Sequence, residues 1–353
     1  MTDYIISGIQ QVGIGVPDVQ LGFDWYRKYF GMDIPVFDEA AEANLMLPYT
    51  GNMPHQRRAI LSLNLRGGGG FEIWQYTSRT PVAPSFIPSL GDIGIFVCKM
   101  KSVNVRENYR ALKGSGAKLL SDIVIDPAGQ EHFFVEDLFG NVFDIIEFNN
   151  WFGSGTHYTG GPCGVTIGVS NIDRSIPFYR DILGYDKIIY EVEGEFKDFK
   201  FLNGGERSFR RILMTHSKKR DGSFSKLLGR SVIELVELKN IAPRKIFDSR
   251  FWGDLGYIHL CFDVKNMPAL KEKCANFGSP FTVDSGNKFE MGEAAGHFSY
   301  VEDPDGTLIE FVETFKVPIL KKINWYLDLR KRNPENALPD WMLKSMSMNR
   351  VKG

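Results

Sequence analysis

Apolar and polar positions along the chain repeat in a fixed order four times. Short apolar strands lie at residues 11–16, 92–97, 164–169 and 259–264. Each is followed by apolar residues at intervals of three and four, which predict helices over 19–30, 103–114, 172–183 and 267–277, with a glycine at or near each end. More strands follow in every unit. Each unit then closes on a strand with an acidic residue among apolar neighbours: Phe71-Glu72-Ile73, Phe143-Asp144-Ile145, Ile233-Glu234-Leu235 and Ile309-Glu310-Phe311. Self-similarity of this kind predicts four repeated supersecondary units.

The units differ in kind. The first and third carry aromatic helices, Phe23-Asp24-Trp25-Tyr26 and Phe178-Tyr179-Arg180, whereas the second and fourth carry Ala111-Leu112-Lys113 and Ala269-Leu270-Lys271. The order is A-B-A-B, as expected from a duplicated pair. A chain of 353 residues suggests two domains at about 150 residues each. The expected division is 1–150 (modules 1–78 and 85–148), a glycine-rich linker at 149–162, 163–315 (modules 163–240 and 251–315), and a C-terminal helical extension over 316–353. That extension mixes basic residues with Ile319, Leu320, Trp325, Tyr326, Leu327, Leu329, Trp341, Met342 and Leu343, and is expected to clasp the body.

A net charge of −1, with both signs interspersed, leaves no footprint for nucleic acid, so a small molecule is the expected partner. Four cysteines without CxxC spacing, and a start without signal-peptide character, point to free thiols and a cytoplasmic setting. No stretch approaches the roughly 18 apolar residues of a membrane span. Either a monomer or a homodimer is expected.

Side chains of a strand alternate between faces. This puts Glu72 and Glu310 on buried faces, where an unpaired carboxylate is costly. A divalent cation would compensate it, and so would a buried Arg, Lys or neutralising proton. Trp74 and Tyr76 share a face with Glu72, as pocket lining or as plain core. Hairpin pairing across 303–306 should set Tyr300 opposite Glu310.

The layout resembles the vicinal oxygen chelate superfamily, which includes glyoxalase I, extradiol dioxygenases and the bleomycin resistance proteins. The likeness rests on Gly13-Ile14-Gly15-Val16-Pro17-Asp18 before Trp25-Tyr26-Arg27, on Gly168-Val169-Ser170-Asn171-Ile172 before Phe178-Tyr179-Arg180, and on Glu302-Asp303-Pro304-Asp305-Gly306-Thr307-Leu308-Ile309-Glu310. It implies an α+β fold of four β-α-β-β-β modules forming two half-open mixed-sheet barrels. It also implies a metal ligand from each module's first strand and another from its last.

By that resemblance the modules offer Gln11 and Glu72, Asp92 and Asp144, Gly164 and Glu234, and His259 and Glu310. Sequential pairing completes neither set. Pairing the first module with the fourth collects Gln11, Glu72, His259 and Glu310, the ligand pattern of one branch of glyoxalase I, and leaves a degenerate set in the middle. This outer pairing is preferred for that reason. One imidazole with three oxygen donors suits a single divalent ion, whether Zn, Ni, Co, Mn or Fe.

The implied activity is that of a metal-dependent isomerase or lyase moving a proton next to a carbonyl, with Glu310, Glu72 and Tyr300 as catalytic candidates. Gly15, Tyr76 and Leu255 stand where glutathione-dependent relatives carry Arg, Asn and Arg. The expected substrate is therefore not a glutathione adduct, and Trp74 and Tyr76 suit an aromatic or apolar carbonyl compound. Two other readings stay open: an Fe(II) extradiol-type dioxygenase, which needs a second His, and a metal-free small-molecule binding protein. His132 does not supply it, because its strand belongs with Asp144 in the second module, and His297 is expected to face away from Glu310.

Overall fold

The computed structural model describes residues 3–286, 289–291, 294–320 and 325–351, with side chains described for all of these except 289–291, 294–295, 317–320 and 325. The chain forms two curled, mixed sheets. Each module opens with a long central strand: Ile5–Gly15, Gly94–Ser102, Thr159–Val169 and Gly256–Lys265. Parallel to each runs that module's closing strand, Gly70–Tyr76, Val142–Glu147, Val232–Leu238 or Leu308–Leu320.

The pairing of modules is the outer one. In one sheet the opening strands Ile5–Gly15 and Gly256–Lys265 lie side by side and antiparallel, joining the first module to the fourth. In the other, Thr159–Val169 pairs with Gly94–Ser102, joining the third to the second. The division of the chain at 149–162 therefore does not separate the two sheets, since each sheet takes one module from either side of it. Residues 159–162 already belong to the third opening strand.

Two of the four helices lie where the periodicity puts them, Val19–Phe30 and Met267–Phe277. The others are shorter than expected, Val105–Gly114 and Ile172–Asp181. Asp18, Asn104 and Asn171 cap their helices by accepting from the N–H three residues on, which satisfies a donor left free in the first turn.

One continuous core holds apolar faces of all four helices together with strand residues of both sheets, including Tyr26, Phe71, Phe143, Phe178, Phe262 and Phe311. Two phenols tie the sheets across it. Tyr26 donates to Asp137 at 2.5 Å, and Tyr179 donates to Asp303 at 2.8 Å. These are the aromatic helices of the first and third modules reaching turns of the second and fourth, so the A-B order survives as helix-to-turn contact while the strands pair otherwise.

The C-terminal segment is not the helical extension expected. The closing strand of the fourth module continues to Leu320 and is paired by Trp325–Asp328, and among the described residues beyond it helix is confined to Asp340–Ser345 and short turns. Ladder pairing with that long strand holds the backbone extended, and Pro334 and Pro339 interrupt the residues beyond it. It does clasp the body. Leu329, Leu338 and Leu343 pack with Ile34, Leu65 and Leu227, Lys226 pairs with Asp340 at 2.8 Å, and Arg350 pairs with Asp33. The side chains of Ile319, Leu320 and Trp325 lie outside the described ones. No described helix is long and apolar enough to cross a membrane.

Candidate metal centre

Strand register assembles the outer centre. Gly13 lies opposite Glu72 on one side and His259 on the other, and Cys261, two residues after His259, lies opposite Glu310. Gln11 and His259 thus come from antiparallel neighbours, flanked by a glutamate on each outer side. Gly13 is required by packing: a Cβ there would sit 2.3 Å from His259 Cε1.

The four side chains converge in a buried space. Gln11 Nε2 donates to Glu72 Oε2 and Glu310 Oε2, both at 3.3 Å. His259 Nε2 lies 3.1 Å from Glu310 Oε2 and 3.4 Å from Glu72 Oε2. Ligand atoms of Glu72, His259 and Glu310 all fall within 4.8 Å of one another.

Electrostatics here is demanding. Burial, and then the charge of Glu310, raises the Glu72 carboxyl to about 7, against the opposing pull of His259. Burial alone would lower His259, but the two carboxylates outweigh it and hold the imidazole above its ordinary value. A divalent cation fits this donor set. Gln11 Oε1 and His259 Nε2 are buried without a hydrogen-bond partner, and a half-turn of the Gln11 amide would present its oxygen instead of its NH2 group.

The walls are aromatic. Tyr300 pairs with Glu310 across the hairpin as expected, and its hydroxyl lies 3.5 Å from His259 Nδ1. Trp74 and Tyr76 are both buried. Tyr76 gives its hydroxyl proton to the Trp252 carbonyl. Trp252 was not foreseen: it comes from the connection before the fourth module, lies parallel to the His259 ring at 6.2 Å and meets Trp74 edge-on at 4.2 Å. It also lines a cavity of about 470 Å³ with Tyr49, Phe247, Phe251, Ile258 and Leu308. Arg57 was missed too. Its guanidinium lies 5.1 Å from the Trp74 ring, bonds Glu39 and, with His259, opposes the rise of the Glu72 carboxyl. No periodic signal marks either residue, because both act through tertiary contact.

In the inner sheet Asp92 does not hold the position expected of it. Gln11, Gly164 and His259 each stand seven residues before the helix N-caps Asp18, Asn171 and Asn266, and the same spacing from Asn104 gives Val97, not Asp92. Asp92 instead anchors a loop, pairing with Arg244 at 2.9 Å and accepting from the Ser89 N–H at 2.8 Å. The apolar run at 92–97 begins before the strand proper, and the distance to the cap is the better guide.

Of the other inner positions, Asp144 and Glu234 do converge, but on Lys99, at 2.7 and 2.9 Å. His132 bonds Asp144 at 2.8 Å. His297 bonds Asp284 at 2.5 Å and stands opposite Glu313, away from the outer centre. All four cysteines are free and buried.

Comparison with known proteins agrees with this architecture. Residues 161–311 match the model of the Glyoxalase/Bleomycin resistance protein/Dioxygenase superfamily. A glyoxalase I variant from Zea mays shares the fold with a TM-score of 0.55 at 14% identity, over 87% of this chain and 92% of its own. A putative dioxygenase from Bacillus subtilis does so with a TM-score of 0.54 at 13% identity, over 88% and 86%. At such identity these likenesses show a shared fold and not an activity. No curated protein matches the sequence significantly.

Proposed function

We propose that the outer centre is the single divalent-metal site of a glyoxalase-like isomerase or lyase, which moves a proton next to a carbonyl of a substrate that is not a glutathione adduct. The observation that carries this reading is the convergence of Gln11, Glu72, His259 and Glu310 in one buried space. A divalent ion bound there would supply Lewis acidity toward a carbonyl oxygen.

The remaining work belongs to the chain. A carboxyl near neutrality, such as Glu72, can both take and return a proton at working pH. Glu310 offers a second carboxylate from the opposite flank, and the Tyr300 hydroxyl stands beside the imidazole. The buried Trp74 and Trp252 offer an apolar bed for a ring-bearing substrate.

The position of Gly15 supports a substrate other than a glutathione adduct. A Cβ there would meet the Asp254 carbonyl at 2.0 Å, so no cationic side chain can be borne at that point.

Metal-loaded protein in deuterated water, offered aromatic and aliphatic α-hydroxycarbonyl compounds, should catalyse exchange of the proton beside the carbonyl, and Glu72→Gln should abolish it. Absence of exchange across such a panel would overturn the reading. Oxygen uptake by iron-loaded protein with catechols would replace it with the dioxygenase reading. The ligand set weighs against that, because only one of the six histidines, His259, reaches the centre, whereas the usual facial triad takes two.

A further inference from the structure

The two sheets solve the same electrostatic problem in different ways. In each, two closing strands bring carboxylates toward a pair of antiparallel opening strands: Glu72 and Glu310 in the outer sheet, Asp144 and Glu234 in the inner. The outer opening strands contribute Gln11 and His259. The inner ones contribute Val97 and Gly164 at the equivalent positions, neither of which can ligate a cation. Gly164 cannot be replaced, since a Cβ there would lie 2.2 Å from the Val232 carbonyl.

Two residues beyond Val97, on the same face, Lys99 sends its ammonium between the two carboxylates, 2.7 Å from Asp144 Oδ2 and 2.9 Å from Glu234 Oε2. All three side chains are buried. We infer that Lys99 stands where the outer centre takes a divalent cation, so that the inner centre is closed by the chain's own ammonium and takes a divalent cation when that ammonium is removed.

The surroundings complete the balance. Arg211 pairs with Glu234 and Asp198, both at 2.8 Å, and His132 binds Asp144, so three basic groups face three carboxylates. Tyr190 and Thr166 donate to the Glu234 oxygens at 2.7 and 2.9 Å. Every carboxylate in the cluster thus has hydrogen-bond partners besides the ammonium, the condition under which buried charges are tolerated. A fixed ammonium offers no Lewis acidity and no open coordination position. The duplicated fold therefore keeps its inner barrel as scaffold and presents one centre per chain.

Manganese(II), which favours carboxylate oxygen, tests this directly. His259→Ala protein, equilibrated with Mn²⁺ and dialysed, should retain less than about one-tenth of an equivalent per chain, as expected when a centre loses a main donor. Retention near one equivalent would show the inner carboxylates binding metal past Lys99, and would overturn the inference. On the same His259→Ala background, adding Lys99→Ala should lower the melting temperature in chelator, and Mn²⁺ should raise it by about 5 °C. His259→Ala with Lys99 intact should show no such rise.

No Mn²⁺ response in the folded double variant would also overturn it. If the alanine variant does not fold, Lys99→Gln, which keeps the stem and loses the charge, carries the same comparison. The inference rests on the outer-centre reading only for its analogy. Wild-type protein that retains no metal would sink that reading, while the Lys99 comparison would still decide this one.

Discussion

Gln11 and Glu310 lie 299 residues apart in sequence, and their side chains meet at 3.3 Å. This contact exists only because the first and fourth modules share a sheet. It makes metal retention sensitive to both ends of the chain. Gln11→Ala and His259→Ala should each weaken retention of Zn²⁺ or Mn²⁺ by at least about tenfold, a loss typical even of residues that only support metal ligands. Metal analysis after dialysis reads the effect, and unchanged content in Gln11→Ala would remove that residue from the centre.

Gly13→Ala separates the centre from the fold. The added methyl would occupy the space of the His259 ring. Gly13 does not need the left-handed backbone that only glycine tolerates, although the register with the fourth module shifts just after it, so the sheet should persist while the imidazole is displaced. Far-ultraviolet circular dichroism should be unchanged and metal affinity should fall by about the same factor as in His259→Ala. Full metal content in Gly13→Ala would contradict the packing argument.

The two centres should respond to pH in opposite senses. Metal-free, Glu72 has its carboxyl raised from an ordinary 4.5 to about 7. A raised value means the folded state holds the proton more tightly, so this group's contribution is full below 4.5 and is lost as pH rises through about 7. A cation must displace that proton, so metal affinity should climb through the same range, with proton release visible by calorimetry in buffers of different ionisation enthalpy. In the inner cluster, Lys99 and His132 overcome the effect of burial and hold Asp144 below the usual carboxylate range. Its contribution is present above that range and is lost as pH falls. Denaturant melts of metal-free protein should therefore show a stability maximum bounded on the acid side by the inner cluster.

Arg211→Met should destabilise more than any outer-centre change. The guanidinium is 1% exposed and serves Glu234 and Asp198 together. Removing one partner of a buried ionic group costs about 3–5 kcal/mol because the other is left unpaired. A chemical melt measures this, and a loss below about 1 kcal/mol, the range of exposed pairs, would mean that solvent reaches the cluster.

Tyr26→Phe isolates the tie between sheets. Its hydroxyl donates to Asp137, which also accepts from Asn141 Nδ2 at 2.8 Å, so the carboxylate is not orphaned by the change. A loss of about 1–2 kcal/mol is expected, with metal content intact.

Much of this was legible in the chain. Helix existence and position followed from the 3.6-residue pattern, since amphipathicity is written locally. The closing acids were legible because a charge inside an apolar strand demands compensation, whatever supplies it. Tyr300 opposite Glu310 followed from the hairpin turn, which fixes register over a short span. Asp92 shows where local pattern misleads: its apolar run extends ahead of the strand, and the five-residue offset separates the loop anchor Asp92 from Val97, which holds the strand position. The C-terminal segment differs for another reason, as its strand conformation comes from pairing with Leu308–Leu320 rather than from its own pattern.

What the sequence by itself determined was the repeat: four modules, their helices, and an acid between apolar neighbours in each closing strand. These are set by local periodicity and by the cost of burying charge. Only the tertiary structure decided how the modules pair, that Lys99 and not a ligand meets the inner acids, and that Trp252 lies against His259. Strand pairing between modules is made of backbone hydrogen bonds common to every opening strand, so composition barely distinguishes the partners. The choice is made by what the side chains meet once the sheets have closed.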